Sequence, residues 1–152
     1  MARDRLVEEI EAVLEDLRVR LGGLRATLRL DDPARGWHSD DPCAETLAPG
    51  APSMRGEGTI SHRAAGTIVW LEKHRTILAQ PDLAMAEARP PQALIEAYGA
   101  RSQIIAPVER DGAMVGWVSI HSPEAPRPWG EADRQAMRDA VAAVSRLLAA
   151  PG

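Results

Sequence analysis

Residues 102–121, SQIIAPVERDGAMVGWVSIH, decide the fold of this chain. They contain two runs rich in apolar and β-branched residues, 102–109 and 113–121, which are joined by Asp111-Gly112. An Asp-Gly pair between such runs is the strongest short signal for a β-hairpin, because both positions of the turn require a positive φ. The stretch therefore predicts two neighbouring antiparallel strands.

The flanking sequence adds further elements to this hairpin. Amphipathic or alternating patterns predict helices over 3–21, 62–74, 92–98 and 130–149, and strands over 24–30 and 76–80. Helices mixed with strands around a hairpin indicate an α/β (α+β) fold with a central antiparallel sheet. Residues 31–57 are rich in Asp, Pro and Gly and show little periodicity. They are expected to form a long loop with a functional or mobile role.

Length and composition exclude several classes of protein. The 152 residues correspond to a single domain, 1–152, and 45% hydrophobic with 26% charged residues is typical of a globular chain. The net charge of −4 argues against a nucleic-acid partner, because proteins that bind the phosphate backbone are basic. No apolar stretch reaches the about 20 residues of a membrane span, and no signal peptide is recognisable. We therefore expect a cytoplasmic protein without a membrane partner.

Two segments of the sequence resemble the GAF domain family. They are AAGTIVWLEKHRTILAQPDL, residues 64–83, and SQIIAPVERDGAMVGWVSIHSPEAPRPWGEADRQAM, residues 102–137. The matching features of the second segment are Pro107, the Asp111-Gly112 turn, Val115-Gly116, Pro128-Trp129 and Asp133. The resemblance implies a regulatory small-molecule-binding module. In this fold the amino- and carboxy-terminal helices lie on one face of the sheet, and a ligand pocket lies under loops on the other.

The sequence departs from several branches of that family. The NKFDE residues of cyclic-nucleotide binders are not recognisable. Cys43 has no adjacent histidine, so the Cys-His pair that attaches bilins is absent. One cysteine cannot supply the disulfide relay of the free methionine sulfoxide reductases. No DNA-binding or kinase segment accompanies the domain, and we expect a stand-alone GAF protein.

Strand alternation predicts a polar face on the sheet, opposite the terminal helices. The residues expected there are Arg25, Thr27, Arg29, Gln103, Trp117, Ser119 and His121, with Val115 on the same side and Met114 on the helix side. Two residues of the long loop, Trp37 and Arg55, are further candidate ligand-binding residues. Arginine forks a carboxylate and an indole stacks on a ring, so the leading ligand is a small organic or aromatic carboxylate. The same pattern also describes an exposed sheet face with solvated arginines.

Two alternative functions depend on other features. Four potential metal ligands cluster in the long loop, namely His38, Asp40, Asp41 and Cys43, and His62 or His121 would complete a site. Their spacing matches no strong metal signature, so we expect no metal and no cofactor. Cys43 with His38 or His62 is a weak candidate for a nucleophile–base pair, which would make the chain a small GAF-fold enzyme acting at residues 37–55. The other alternative is a dimerisation or partner-docking module without a ligand.

The terminal helices predict a homodimer. Apolar residues recur at three- and four-residue steps in both helices, at Leu6, Ile10, Val13 and Leu17 and at Met137, Val141, Val144 and Leu148. One such stripe covers the sheet. Three further apolar residues, Leu14, Leu21 and Leu147, are expected to widen it enough for a second contact between copies of the chain.

Overall fold

The computed structural model describes residues 2–150, with side chains from residue 4 onward. Within that range the α-helices are α1 (Ala2–Leu21), α2 (Gly66–His74), α3 (Gln92–Glu96) and α4 (Glu131–Ala149). The strands are β1 (Arg25–Leu30), β2 (Ala44–Leu47), β3 (Leu78–Gln80), β4 (Ser102–Arg110) and β5 (Ala113–Ser122). None of the described helices is both long and apolar enough to cross a membrane.

The five strands form one antiparallel sheet in the order β2-β1-β5-β4-β3. The predicted hairpin joins β4 to β5, and its turn residues Asp111 and Gly112 have φ values of 53° and 80°. Both φ values lie in the left-handed region that Asp and Gly tolerate, which confirms the turn signal of the sequence. The observed layers also confirm the α/β class with a central antiparallel sheet.

The terminal helices cover one face of the sheet. Buried residues of α1 and α4, such as Leu14 and Val144, pack against the even-numbered positions of β1, β4 and β5, such as Leu28 and Ile120. Each such side chain contributes about 1.5–3 kcal/mol when it is fully buried. This aliphatic layer fixes the sheet against the helices, so the odd-numbered side chains of β1 must point to the other face.

A β-bulge interrupts the expected alternation near the start of β5. Val108 pairs with Gly116 and Glu109 pairs with Met114, which leaves Val115 as the extra residue. Met114 therefore packs with the cluster on the polar side, and Val115 packs against the helix-side core. The sequence prediction for these two residues was wrong, because one inserted residue exchanges the faces of all positions on one side of it.

The 31–57 segment is more ordered than predicted. It contains a 3₁₀ turn at Pro33–Arg35 and the edge strand β2, which pairs with β1 through Leu28↔Ala44 and Thr27↔Glu45. The expectation of an uninterrupted loop was therefore wrong. After β2 the chain crosses to the polar side of the sheet, where Met54 is buried.

Candidate functional site

The sheet register brings the predicted polar residues together on the face opposite α1 and α4. Across neighbouring strands, Arg25 lies opposite His121, which lies opposite Gln103; Thr27 lies opposite Ser119, and Arg29 opposite Trp117. We call these seven residues the polar face. All seven are buried, and the exposed fractions of Arg25 and Arg29 are 0% and 3%. The alternative of an open sheet face with solvated arginines is therefore wrong.

The two buried guanidinium groups contact neutral acceptors. Arg25 donates from Nη1 to His121 Nδ1 at 3.2 Å and from Nη2 to the Pro52 carbonyl at 2.8 Å, while its Nε has no partner among the described residues. Arg29 donates from Nη1 to the Ser39 carbonyl at 3.1 Å, and its Nη2 lies 3.9 Å from Met54 Sδ. No ion pair joins either group to a carboxylate of residues 4–150.

Burial lowers the pKa of both arginines. For Arg29 the value falls to about 10, and the nearby charges of Asp41 and Glu45 oppose this shift. The pKa of Arg25 is lowered for the same reason, and Glu45 again opposes the shift. Arg29 stays cationic at neutral pH, so the site holds positive charge in a poorly hydrated place.

A short segment, Pro52–Met54, covers this charge, and we call it the strap. Glu45, the β2 residue opposite Thr27, accepts hydrogen bonds from Ser53 Oγ and from the Met54 backbone N–H, the latter at 2.9 Å. These bonds hold the strap above the polar face, where the Pro52 carbonyl reaches Arg25 and the Met54 thioether reaches Arg29.

A cavity of about 20 Å³ remains between the strap and the polar face. Met54 of the strap lines it, and its polar or aromatic lining residues are Arg29, His62, Thr67, Gln103, Trp117, Ser119 and His121. This volume is about what one water molecule requires. A molecule with a ring therefore enters only when the strap moves outward.

Two histidines on the cavity are neutral at physiological pH. Burial lowers the pKa of His62 to about 4, and the Arg29 charge adds to the shift. Burial and the neighbouring arginines lower the pKa of His121 well below its usual range. Both imidazoles are therefore held in the neutral form in the absence of a ligand.

The structure places two of the predicted ligand-binding residues elsewhere. Trp37 belongs to the helix-side core, because the Pro33–Arg35 turn and the backbone pairing of Asp32 with Trp37 direct it behind the sheet. Arg55 is partly exposed and forms an ion pair with Glu11 at 2.6 Å. Neither residue lines the cavity on the polar face, and both line a separate surface cavity together with His38 and Cys43.

The catalytic candidates are not arranged for nucleophilic chemistry. Cys43 lies in the helix-side core, its thiol donates to the Leu28 carbonyl at 3.4 Å, and burial raises its pKa to about 12. His38 is exposed, and its Nδ1 accepts from the Asp40 backbone N–H at 3.2 Å. A nucleophilic cysteine needs a lowered pKa and a base within hydrogen-bond reach. Among residues 4–150, no group of three or more His, Cys, Asp or Glu is placed to hold a metal ion.

Sequence reasoning missed several parts of this site. Glu45 and Met54 lie in the segment taken for a loop, and their role depends on how that segment folds back over the sheet. His62 was considered only as a base or metal ligand, and it lines the cavity. Gln80 was detectable in principle, because the strand 76–80 pairs with β4 and sets Gln80 opposite Gln103.

Solved structures with the same fold include a bilin-binding protein, a photoreceptor and an enzyme. The GAF domain of PixJ from Thermosynechococcus elongatus, in its blue-light absorbing form, is 19% identical to this chain, with a TM-score of 0.74. The match covers 97% of this chain and 88% of the PixJ chain. The phycocyanobilin-bound GAF domain from a cyanobacterial phytochrome is 21% identical, with a TM-score of 0.72, and the match covers 95% of this chain and 84% of the phytochrome domain. The type II free methionine-R-sulfoxide reductase from Thermoplasma acidophilum is 11% identical, with a TM-score of 0.71, and the match covers 97% of this chain and 95% of the reductase.

At these identities the similarity shows the fold alone. None of the curated proteins matches the sequence at a significant level. The sequence profile of the GAF domain, in contrast, matches residues 5–148, which is nearly the whole chain. The five-stranded antiparallel sheet, the terminal helices on one face and the covered polar face agree with that match. The chain belongs to the GAF domain family.

Proposed function

We propose that this protein is a cytoplasmic sensory or accessory module that binds a small planar organic carboxylate between the strap and the polar face. The observation that carries the proposal is the burial of Arg25 and Arg29 without an ion-paired carboxylate. A buried charge without an ion-pair partner is costly, and the nearby charge of Glu45 only opposes the effect of burial on these arginines. A ligand carboxylate would supply that counter-charge, so that donor and acceptor would both be charged, whereas the acceptors of the two guanidinium groups are now neutral.

The walls of the cavity favour a flat, apolar body on the ligand. Trp117 packs with Ile68 of α2 and Ile105 of β4, and the Arg63 guanidinium lies 5.7 Å from the centre of its indole ring. Small-molecule sites combine apolar and aromatic walls with a few placed polar groups, and this face has both. An aromatic or heteroaromatic acid matches this combination.

The ligands and activities of the structural neighbours are less favoured here. The phytochrome domain binds phycocyanobilin, but Cys43 of this chain lies behind the sheet, away from the polar face. Thiol chemistry like that of the sulfoxide reductases is disfavoured by the same burial, since it raises the pKa of the only cysteine to about 12.

We further propose that two copies of the chain associate through α1 and α4. Leu14 and Leu21 are buried within one copy, so the expectation that they widen the outer stripe was wrong. The apolar surface left for a partner is formed by the partly buried Leu6, Val13, Val141 and Leu147.

Thermal unfolding with matched acids and amides tests the ligand class. Benzoate and nicotinate should raise the melting temperature, while benzamide and nicotinamide, which have the same rings without the charge, should not. An acid at about 100 times its dissociation constant adds about 2.7 kcal/mol, which for a domain of this size is on the order of 5–10 °C.

Arg29→Gln should abolish the shift caused by the acids, because the buried cation is lost. Arg20→Gln, which alters an exposed arginine of α1, is the matched control and should keep the shift. Equal shifts with acids and amides, or an unchanged shift in Arg29→Gln, would contradict the proposal.

A further inference from the structure

Gln103 presents an unpartnered oxygen to the cavity. Its side chain is 1% exposed, and Oε1 has no hydrogen-bond partner among the described residues. Its Nε2 donates to Gln80 Oε1 at 2.8 Å, and Gln80 Nε2 donates to the Ala88 carbonyl at 2.7 Å. Because a carbonyl only accepts, the Ala88 end sets the direction of this chain of amides. Gln103 therefore turns its oxygen, an acceptor, away from Gln80.

His121, the residue paired with Gln103 on the neighbouring strand, supplies a donor. An arginine can only donate, so the contact from Arg25 Nη1 makes His121 Nδ1 the acceptor and places the ring hydrogen on Nε2. No described residue accepts that hydrogen. His121 and Gln103 are paired in register on β5 and β4, where opposite Cβ atoms lie about 4.5–5.5 Å apart. The cavity floor thus carries a donor and an acceptor side by side.

We propose that Gln103 and His121 form a specificity subsite that selects, among planar carboxylates, those with a lactam edge. The ligand N–H would donate to Gln103 Oε1, and the adjacent carbonyl would accept from His121 Nε2. The inference rests on the proposed function, because the carboxylate at the other end of the ring is assigned to Arg29. That arginine lies opposite Trp117, four residues along β5 from His121, which is about 13 Å of strand.

The subsite discriminates because its polar atoms are desolvated. A ligand such as 4-methylbenzoate, which places a ring C–H against Gln103 Oε1 and a methyl group against His121 Nε2, leaves both polar atoms without a partner. Sites of this kind reject an analogue that lacks the matching N–H much more strongly than they reject a change of size. We expect at least about a tenfold preference for the lactam.

Calorimetric titration with two acids of equal size tests the subsite. The first is 6-hydroxynicotinate, whose pyridone form carries a lactam opposite the carboxylate, and the second is 4-methylbenzoate. The wild-type protein should bind the pyridone acid at least about tenfold more tightly. Gln103→Leu should reduce the ratio to about one, and Gln92→Leu, which alters an exposed glutamine of α3, should leave it unchanged.

The outcomes separate this inference from the proposed function. Equal affinity of the two acids for the wild type overturns the subsite and leaves carboxylate binding in place. A lactam preference that survives in Gln103→Leu also overturns the subsite. If neither these acids nor benzoate and nicotinate bind, both proposals fail. If Gln103→Leu does not fold, Gln80→Met provides the second variant, since it frees the Gln103 amide to turn and should lower the ratio.

Discussion

At the level of single residues, the distinctive feature of this protein is the set of buried polar side chains on the polar face. Arg25 is enclosed between His121, the strap and Tyr98, whose ring centre is 5.6 Å from the guanidinium carbon. Replacing buried polar groups by apolar ones of similar shape is often neutral or stabilising. Their presence here has a cost in stability, which is consistent with the recognition role that we propose for the polar face.

His62 makes the free energy of unfolding depend on pH. The unfolded chain protonates His62 near its ordinary pKa of 6.5, while the folded chain keeps it neutral down to about 4. Between these values the unfolded state binds more protons, so stability is full above pH 6.5 and falls as the pH drops. We expect His62 alone to cost about 2 kcal/mol at about pH 5 relative to pH 7.

Urea unfolding of the wild type and of His62→Gln at these two pH values measures that contribution. The variant should lose less stability than the wild type between pH 7 and 5, since glutamine does not titrate. His74→Gln, at an exposed position of α2, should follow the wild type. A His62→Gln curve parallel to the wild type would show that this histidine is charged in the folded protein.

Among the elements, the close contact of β5 with β1 depends on one glycine. A Cβ built on Gly116 would lie 1.9 Å from the Arg29 carbonyl oxygen and 2.7 Å from Leu30 Cδ2. The first atom belongs to the backbone of β1, so the strands would have to separate. We expect Gly116→Ala to destabilise the protein by about 3 kcal/mol or more, as overpacking against backbone does.

Gly58→Ala is the matched control, because its Cβ would meet nothing within 4 Å. Its free energy of unfolding should stay within about 0.5 kcal/mol of the wild type. The two variants are compared by urea unfolding, and equal stabilities would show that β1 and β5 separate at little cost.

The elements also show what the sequence could predict. Alternation placed Arg25, Thr27 and Arg29 on one face of β1 correctly, because pairing along that strand is uninterrupted. The bulge at Val115 depends on the register with β4, and no residue of β5 alone reveals it. The edge strand β2 is only four residues long, and its identity depends on pairing with β1. The contacts of the strap depend on how the chain returns over the sheet after β2, and no local sequence pattern predicts that path.

At the scale of the whole molecule, the testable property is assembly. Light scattering at tens of micromolar should give twice the chain mass of 16.4 kDa. Val13→Lys should shift this mass towards that of one chain, because it places a charge in the proposed contact between α1 and α4 of the two copies. Val69→Lys, at a valine of α2 that is 55% exposed, should leave the mass unchanged. A single-chain mass for the wild type would refute the dimer.

In the proposed function, the strap would also determine how fast the protein responds. Its carbonyl and thioether occupy guanidinium hydrogens that an incoming carboxylate needs, so the anion cannot take them until residues 52–54 have lifted. Lifting is a step within one molecule, and its rate does not depend on ligand concentration. At high concentration the rate of complex formation therefore reaches a ceiling set by strap opening, well below the rate of diffusional encounter. With such a gate, the module that we propose would follow slow, sustained changes in its ligand and ignore brief ones.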